Sequence, residues 1–237
     1  MRYKLIIFDF DGTLADSFPF FVSTLDRLAE RHGFKRVNSE ELEMLRAYDF
    51  RQLMKHIGLP LWKLPMVTKD FNGLMAREIG RISLFEGAGD LLRALSEKGI
   101  TLALVSSNAY ENVRRVLGDG NGDMIRYYEC GASIFGKPAR LKKVLRKSGI
   151  PAAEAMCIGD EIRDLEAARR VHVAFGAVAW GYARYRCIEG ARTGRGIHGH
   201  GRDRGTDRLI RHEKDGQRIG PIPKESMINE RRYLLRV

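Results

Sequence analysis

The sequence has few cysteines and no long apolar run, and both shortages narrow the class of protein. Its three cysteines, at positions 130, 157 and 187, are odd in number and form no Cys-x-x-Cys pair, so neither a disulfide framework nor a zinc site is predicted. No apolar stretch approaches the roughly 18 residues that span a bilayer, and the apolar run after Lys4 is too short for a secretion signal. We therefore expect reduced thiols, no membrane partner and a cytoplasmic location.

The rest of the composition is that of an ordinary globular protein. The 237 residues are 44% hydrophobic and 30% charged, which supplies enough apolar side chains for a core and excludes a fibrous or wholly disordered chain. This length suits one domain, or one domain with a smaller one inserted into it. Lys and Arg outnumber Asp and Glu by 41 to 30, and residues 187–237 hold 12 of the basic residues against 7 acidic ones.

Short apolar runs that stop abruptly predict the strands of a parallel sheet. Residues 5–8, 102–105 and 155–158 are such runs, and each is followed at once by a polar turn. Apolar residues at helical spacing lie between them, and residues 173–180 predict one further strand. Strands that alternate with helices indicate a doubly wound, Rossmann-like α/β fold with a parallel sheet.

The segment between the first and second runs is too long for an ordinary crossover. It has helical periodicity over about seventy residues and no strand pattern. We expect residues 17–84 to form an inserted α-helical cap, and residues 1–16 with 85–186 to form the Rossmann-like core. Residues 187–237, with eight glycines and no sustained apolar period, are expected to be a disordered, Arg/Gly-rich tail.

Two acids follow the first apolar run. Asp9 and Asp11 are two residues apart, so in extended chain both carboxylates face the same side while Phe10 turns into the core. Gly12 allows a tight turn that keeps the backbone close to a ligand. Two carboxylates this close repel each other unless a cation lies between them, which indicates a divalent metal. Two solvated turn acids would show the same spacing.

The later runs end in residues of the kind that bind phosphate. The Ser106 hydroxyl, with the backbone N–H groups of Ser107 and Asn108 at a helix start, can hold phosphate oxygens. Lys137 can supply a fixed positive charge. Each of these residues alone could equally be a cap or a solvated side chain. Two further acids, Asp160 and Asp164, are four residues apart. They would lie on the same face of a helix if that helix started directly after the apolar run.

In this order the motifs resemble those of the haloacid dehalogenase superfamily of phosphohydrolases. The first motif, DxDGT, stands at residues 9–13, and the second, an apolar strand that ends in Ser, stands at residues 102–106. The third is Lys137, and the fourth, GDxxxD, stands at residues 159–164. The resemblance covers residues 3–182, and the helical insert is similar to the cap of the phosphoglycolate-phosphatase-like branch.

The resemblance implies a magnesium-dependent phosphatase that acts on a small phosphorylated metabolite. Asp9 would be the nucleophile that forms an aspartyl-phosphate, and Asp11 would protonate the leaving oxygen and then activate water. Ser106 and Lys137 would hold the transferring oxygens, with Asp164 orienting the lysine. The implied metal ligands are Asp9, the main-chain carbonyl of Asp11, and Asp160, with Glu161 beside them. The implied substrate-binding residues are Gly12, Thr13, Ser107 and Asn108.

The cap should close over the site and select the leaving group. Arg46 and the adjacent Tyr48 are candidates for contact with it, although a surface arginine is often merely solvated. A phosphosugar mutase of the same superfamily is the nearest alternative, because it would use the same aspartyl-phosphate. A third reading is an inactive or RNA-associated protein. The sequence by itself specifies neither the substrate nor the oligomeric state.

Past about residue 186 the resemblance ends. The apolar segments expected for the last helix and strand of the family are missing, and Arg and Gly dominate instead. Translation in a wrong reading frame is our leading hypothesis for this tail. A basic nucleic-acid-binding tail is the alternative, but Tyr233 is its single aromatic residue that could stack on a base. We therefore expect no nucleic-acid partner.

Overall fold

A computed structural model describes residues 3–38, 41, 48, 50–131, 136–178 and 180, together with the backbone of residues 213–214 and 217–218. Within these residues, parallel strands form one sheet in the order β3-β2-β1-β4-β5. The strands are β1 (Leu5–Phe8), β2 (Thr101–Val105), β3 (Ile125–Glu129), β4 (Ala155–Gly159) and β5 (Ala174–Ala177). Their order and parallel pairing confirm the predicted doubly wound sheet.

The helices of the described residues follow or precede these strands. They are α1 (Phe18–His32), α2 (Phe50–His56), α3 (Leu64–Arg77), α4 (Ala88–Glu97), α5 (Tyr110–Met124), α6 (Lys137–Ser148) and α7 (Ile162–Arg170). Single 3₁₀ turns occur at Leu61–Lys63, Ile79–Arg81 and Ala152–Glu154. None of these helices is both long enough and apolar enough to cross a bilayer.

Alternating side chains of the central strands build one apolar cluster on each face of the sheet. Ile6 and Phe8 of β1 join the cluster that also contains apolar residues of α1, α3, α4 and α5. Leu5 and Ile7 join the cluster on the other face, with residues of α6 and α7. Because β1 is covered on both faces, its sequence is a continuous apolar run rather than an alternating one.

Strand β3 was not predicted from the sequence. It lies at the edge of the sheet, and only its first and last residues, Ile125 and Glu129, are buried. An edge strand needs no continuous apolar run, so the pattern that identified the central strands is absent here. The predicted strand at 173–180 is present but shorter, as β5.

The helices of the predicted cap segment are held to each other and to the sheet. His32 of α1 lies 2.9 Å from Asp70 of α3, and the rings of Phe20 and Phe71 pack with centroids 5.7 Å apart. The two chain segments that join the predicted cap to the predicted core lie side by side, since the Asp16 N–H donates to the Ser83 carbonyl at 2.9 Å. The exact division into cap and core remains a prediction.

The predicted tail, residues 187–237, lies outside the described residues apart from a short antiparallel pairing of β6 (Glu213–Lys214) with β7 (Gln217–Arg218). Its predicted disorder and its origin remain hypotheses. Arg46, the candidate contact of the leaving group, also lies outside the described residues.

We expect Leu104→Ala to lower the free energy of unfolding by about 2–5 kcal/mol, because Leu104 lies in a central strand, is wholly buried, and cannot be replaced there without a cavity. Urea denaturation monitored by circular dichroism measures this change. Leu61→Ala is the matched control, since Leu61 is 46% exposed and its truncation should change stability by less than about 0.5 kcal/mol. Equal losses in the two variants would contradict the assigned core.

Candidate active site

The polar residues predicted from the sequence meet at the carboxyl edge of the sheet. Asp9 follows β1, Ser106 follows β2, Asp160 follows β4, and Lys137 is the first residue of α6. A doubly wound sheet binds its ligands at this edge, because the strand ends and helix starts converge there. The cleft is lined by Asp9, Ser106, Ser107, Lys137, Arg140, Arg163 and Asp164.

Lys137 connects two carboxylates inside this cleft. Its Nζ lies 2.8 Å from Asp9 Oδ2 and 2.5 Å from Asp164 Oδ1. Burial acts against the charge of the ammonium group, but Asp164 and Asp9 outweigh it and raise the pKa of Lys137 above its usual value. The lysine therefore carries a permanent positive charge at a fixed position beside Asp9.

The surroundings of Asp9 change its affinity for a proton. Burial raises the pKa of Asp9 to about 7, and the attraction of Lys137 offsets this only in part. A buried carboxylate of this kind gains from a second cation nearby, since one lysine does not compensate for its lost hydration.

Asp164 serves the backbone as well as the lysine. Its Oδ2 accepts hydrogen bonds from the N–H groups of Asp160, at 3.2 Å, and Glu161, at 3.1 Å, which caps the start of α7. The two acids Asp160 and Asp164 would share a helix face only if the helix started at once, and this condition is not met, because α7 begins only at Ile162. A Cβ atom on Gly159 would collide with the Asp164 carboxylate, so the turn requires glycine there.

Asp11 is hydrogen-bonded to residues outside the lysine network. Phe10 is wholly buried, as the predicted alternation of this segment requires. The Asp11 carboxylate accepts hydrogen bonds from Ser17 Oγ at 2.7 Å and from Asn108 Nδ2 at 3.1 Å. Burial raises the pKa of Asp11, while these two donors oppose the shift. Gly12 turns the chain with a φ of 77°.

The turn after strand β2 satisfies more of its own hydrogen-bonding groups than the sequence suggested. Ser106 Oγ accepts the backbone N–H of Asn108 at 3.0 Å, so this N–H is already bound within the turn. The side chain of Asn108 points to Asp11, and α5 begins only at Tyr110. Ser106 and Ser107 line the cleft as predicted.

Three carboxylates lie close enough to hold a metal ion. One oxygen each of Asp9, Asp160 and Asp164 lies within 4.8 Å of the other two. Asp160 is wholly buried and accepts the Thr13 hydroxyl at 2.9 Å, and a buried carboxylate is stable only when paired or coordinated. Oxygen donors suit a hard divalent cation, so these residues fit the predicted metal. The cluster contains Asp164, where the sequence indicated the Asp11 carbonyl.

The sequence reasoning missed Ser17, Arg140 and Arg163. Ser17 is wholly buried and donates to Asp11. The sequence feature that could have indicated this role is a hydroxyl side chain at the start of α1. Arg140 donates to the carbonyl of Ser106 at 2.9 Å and therefore holds the end of β2. Arg163 lines the cleft and forms an ion pair with Glu161.

The site combines an aspartate beside a fixed lysine, a second aspartate that is half-buried, and an acidic cluster that fits a metal. The sequence matches the haloacid dehalogenase-like hydrolase family over residues 6–178. The chain belongs to this family, and it is a phosphatase.

Relatives and solved structures agree with this assignment. A phosphoglycolate phosphatase of Synechococcus elongatus is 32% identical over 180 residues, which are 76% of this chain and 85% of the relative. A phosphoglycolate phosphatase of Agrobacterium fabrum is 30% identical, over 78% of this chain and 84% of the relative. A haloacid dehalogenase-like hydrolase from Streptococcus pneumoniae shares the fold, with a TM-score of 0.65, 16% identity, and coverage of 81% of this chain and 91% of that one.

We expect Asp9→Asn to stabilise the metal-free protein at pH 8 but much less at pH 5. The native pKa of Asp9 is about 7 and lies above its ordinary value of 3.8, so the native state favours protonated Asp9. The stability that Asp9 contributes to the native state through its proton is fully present below pH 3.8 and is lost as the pH rises through 7. Asparagine has no charge to bury, so the difference from wild type grows with pH.

Urea denaturation in EDTA at both pH values measures this effect. Asp90→Asn is the control, because the Asp90 side chain is 80% exposed and its replacement should show the same small effect at both pH values. A pH-independent difference for Asp9→Asn would contradict the raised pKa.

Proposed function

We propose that this protein hydrolyses a small phosphomonoester of the phosphoglycolate type, with Mg²⁺ as its cofactor and Asp9 as its nucleophile. The observation that carries the proposal is the position of Asp9, which lies in the cleft with Lys137 Nζ 2.8 Å from its carboxylate while Asp11 follows two residues later. Relatives that are phosphoglycolate phosphatases support the substrate class.

In the first step, an Asp9 carboxylate oxygen attacks phosphorus and the ester P–O bond breaks. The leaving oxygen takes a proton from Asp11, whose burial favours the protonated form this step needs. In the second step, water attacks the aspartyl-phosphate, Asp11 takes back a proton, and Asp9 is regenerated as inorganic phosphate leaves. General acid and base catalysis of this kind contributes roughly 10²–10⁴-fold.

The remaining residues of the cleft stabilise the charge on the transferring phosphoryl group. Lys137 supplies a positive charge and Ser106 a hydroxyl donor, and both are fixed before substrate binds. Asp9, the Asp11 carbonyl and Asp160 would hold Mg²⁺, and Asp164 lies close to them while orienting Lys137. Bound Mg²⁺ supplies positive charge that offsets the negative charges of Asp9 and phosphate.

The surroundings of the site support a small substrate handled in the cytoplasm. Asn72 of α3 lies 3.4 Å from the Ser107 carbonyl, so the helix of the proposed cap reaches the cleft and limits the room for a leaving group. Among the described cysteines, Cys130 and Cys157 are free thiols, as expected for a reducing compartment. Arg46 and Tyr48 remain candidates for contact with the leaving group.

A panel of phosphorylated metabolites tests the proposed function. We expect phosphate release from phosphoglycolate and similar small esters in Mg²⁺, and loss of release in EDTA that Mg²⁺ restores, because the acidic cluster needs a cation. Phosphate release is measured colorimetrically on the full chain. Transfer of phosphate to a second sugar hydroxyl, without release, would identify a mutase instead, and no turnover of any ester would contradict the proposal.

We expect Asp9→Asn to lower kcat by roughly 10³-fold or more with folding preserved, because the amide keeps the shape of the side chain and removes the nucleophile. Asp90→Asn, at an exposed position of α4, should retain wild-type activity. Acid quenching with ³²P-labelled substrate should trap label on wild type and none on Asp9→Asn. Trapped label or near-normal turnover in Asp9→Asn would rule out the covalent mechanism.

A further inference from the structure

Helix α3 contacts the turn after β2 through a chain of asparagines that ends at Asp11. Asn112 of α5 donates from Nδ2 to the carbonyl of Asn72 in α3, at 3.0 Å, and to Oδ1 of Asn108, at 3.1 Å. Asn108 in turn donates from Nδ2 to the Asp11 carboxylate at 3.1 Å. Asn108 is 1% exposed and Asn112 is 2% exposed, so water has little access to compete for these bonds.

Backbone groups determine which way both amides face. The N–H of Ala109 donates to Asn108 Oδ1 at 2.8 Å, and since a backbone N–H can only donate, this end of the amide must be the oxygen. The NH₂ end of Asn108 therefore faces Asp11. The carbonyl of Asn72 can only accept, so the end of Asn112 that faces it must be the NH₂ group.

Helix α3 has a second contact with the same amide. Asn108 Nδ2 lies 2.9 Å from Sδ of Met75, one turn along α3 from Asn72, and Met75 is wholly buried. The side chain that donates to Asp11 is thus held by α3 directly through Met75 and indirectly through Asn112. A shift of α3 relative to the sheet would change the contacts of both.

We propose that Asn112 is a positioning residue that couples helix α3 to the acid and base Asp11 because, together with the N–H of Ala109, it holds the amide oxygen of Asn108 and so fixes its donor end toward Asp11. The inference rests on the proposed function, since it assigns Asn112 a task in proton transfer to the leaving group. Asn112 touches neither the substrate nor the reacting atoms. It makes the orientation of the Asp11 carboxylate depend on the docked position of α3.

The test compares two substrates that differ in their need for an acid. The leaving group of an alkyl phosphate such as phosphoglycolate is a basic alkoxide, which needs a proton from Asp11. The leaving group of p-nitrophenyl phosphate is a stable phenolate, which needs little help from an acid. We expect Asn112→Leu to lower kcat/KM about 10- to 100-fold for the alkyl ester and less than about 3-fold for the aryl ester. The parameter kcat/KM reports the step in which the leaving group departs, so slow hydrolysis of the phosphoenzyme does not obscure the comparison.

Asn121→Leu is the matched control. Asn121 lies in α5 beyond a kink at Gly118, and it donates its amide to the carbonyl of Leu117 at 3.0 Å rather than toward Asp11. We expect kcat/KM of Asn121→Leu to equal that of wild type for the alkyl ester and for the aryl ester. Asn112→Ala removes the same donor without added volume and provides the comparison if Asn112→Leu does not fold by circular dichroism.

The outcomes separate the two proposals. Equal losses for both esters, or no loss for either, would show that Asn112 is merely structural and would overturn the inference while leaving the phosphatase intact. Failure of the wild-type protein to hydrolyse any alkyl phosphate would instead overturn the proposed function. A selective loss for the alkyl ester in Asn112→Leu, absent from Asn121→Leu, supports the coupling.

Discussion

Lys137 between Asp9 and Asp164 is the interaction on which the arrangement of the site depends. Its ammonium group is largely buried, and the two carboxylates at 2.8 and 2.5 Å compensate for its lost hydration. Asp164 can hold this position because its other oxygen caps α7. The start of α6, the start of α7 and the end of β1 are therefore held together by one set of charges.

This arrangement also separates the chemical tasks of the two neighbouring aspartates. Asp9 faces the lysine and the acidic cluster, which suits a nucleophile beside a metal. Asp11 faces neutral donors, the hydroxyl of Ser17 and the amide of Asn108, and burial raises its pKa. Although they stand only two residues apart, the two carboxylates therefore have different partners, a charged lysine for Asp9 and neutral donors for Asp11.

The position of helix α3 connects the inserted segment to this chemistry. The candidate catalytic acids lie at the edge of the sheet, and α3, a helix of the predicted cap, reaches the turn after β2 through Asn72 and Met75. Neutral amides suit such a connection, because a charge at Asn108 or Asn112 would be buried without compensation and would itself alter the pKa of Asp11.

Local sequence determined the central strands, the order of strands and helices, and the polar residues at the strand ends. These features follow from short stretches of chain: a run covered on both faces is continuously apolar, and the residue after a parallel strand lies at the ligand edge wherever that strand sits in the sheet. Asp9, Ser106 and Asp160 could therefore be placed at this edge before any contact was known, whereas Lys137 follows no predicted strand and was indicated by its place in the order of the family motifs.

Only the tertiary structure decided the edge strand β3, the ion pair of Asp164 with Lys137 and the partners of Asp11. Strand β3 has no continuous apolar run, because an edge needs less burial. Asn108 reaches Asp11 across 97 residues, and Asn112 reaches Asn72 across 40, so neither pair has a spacing that a sequence pattern could reveal. Such contacts arise when separate elements pack against each other, and the energy that selects them belongs to the packed core rather than to any one segment.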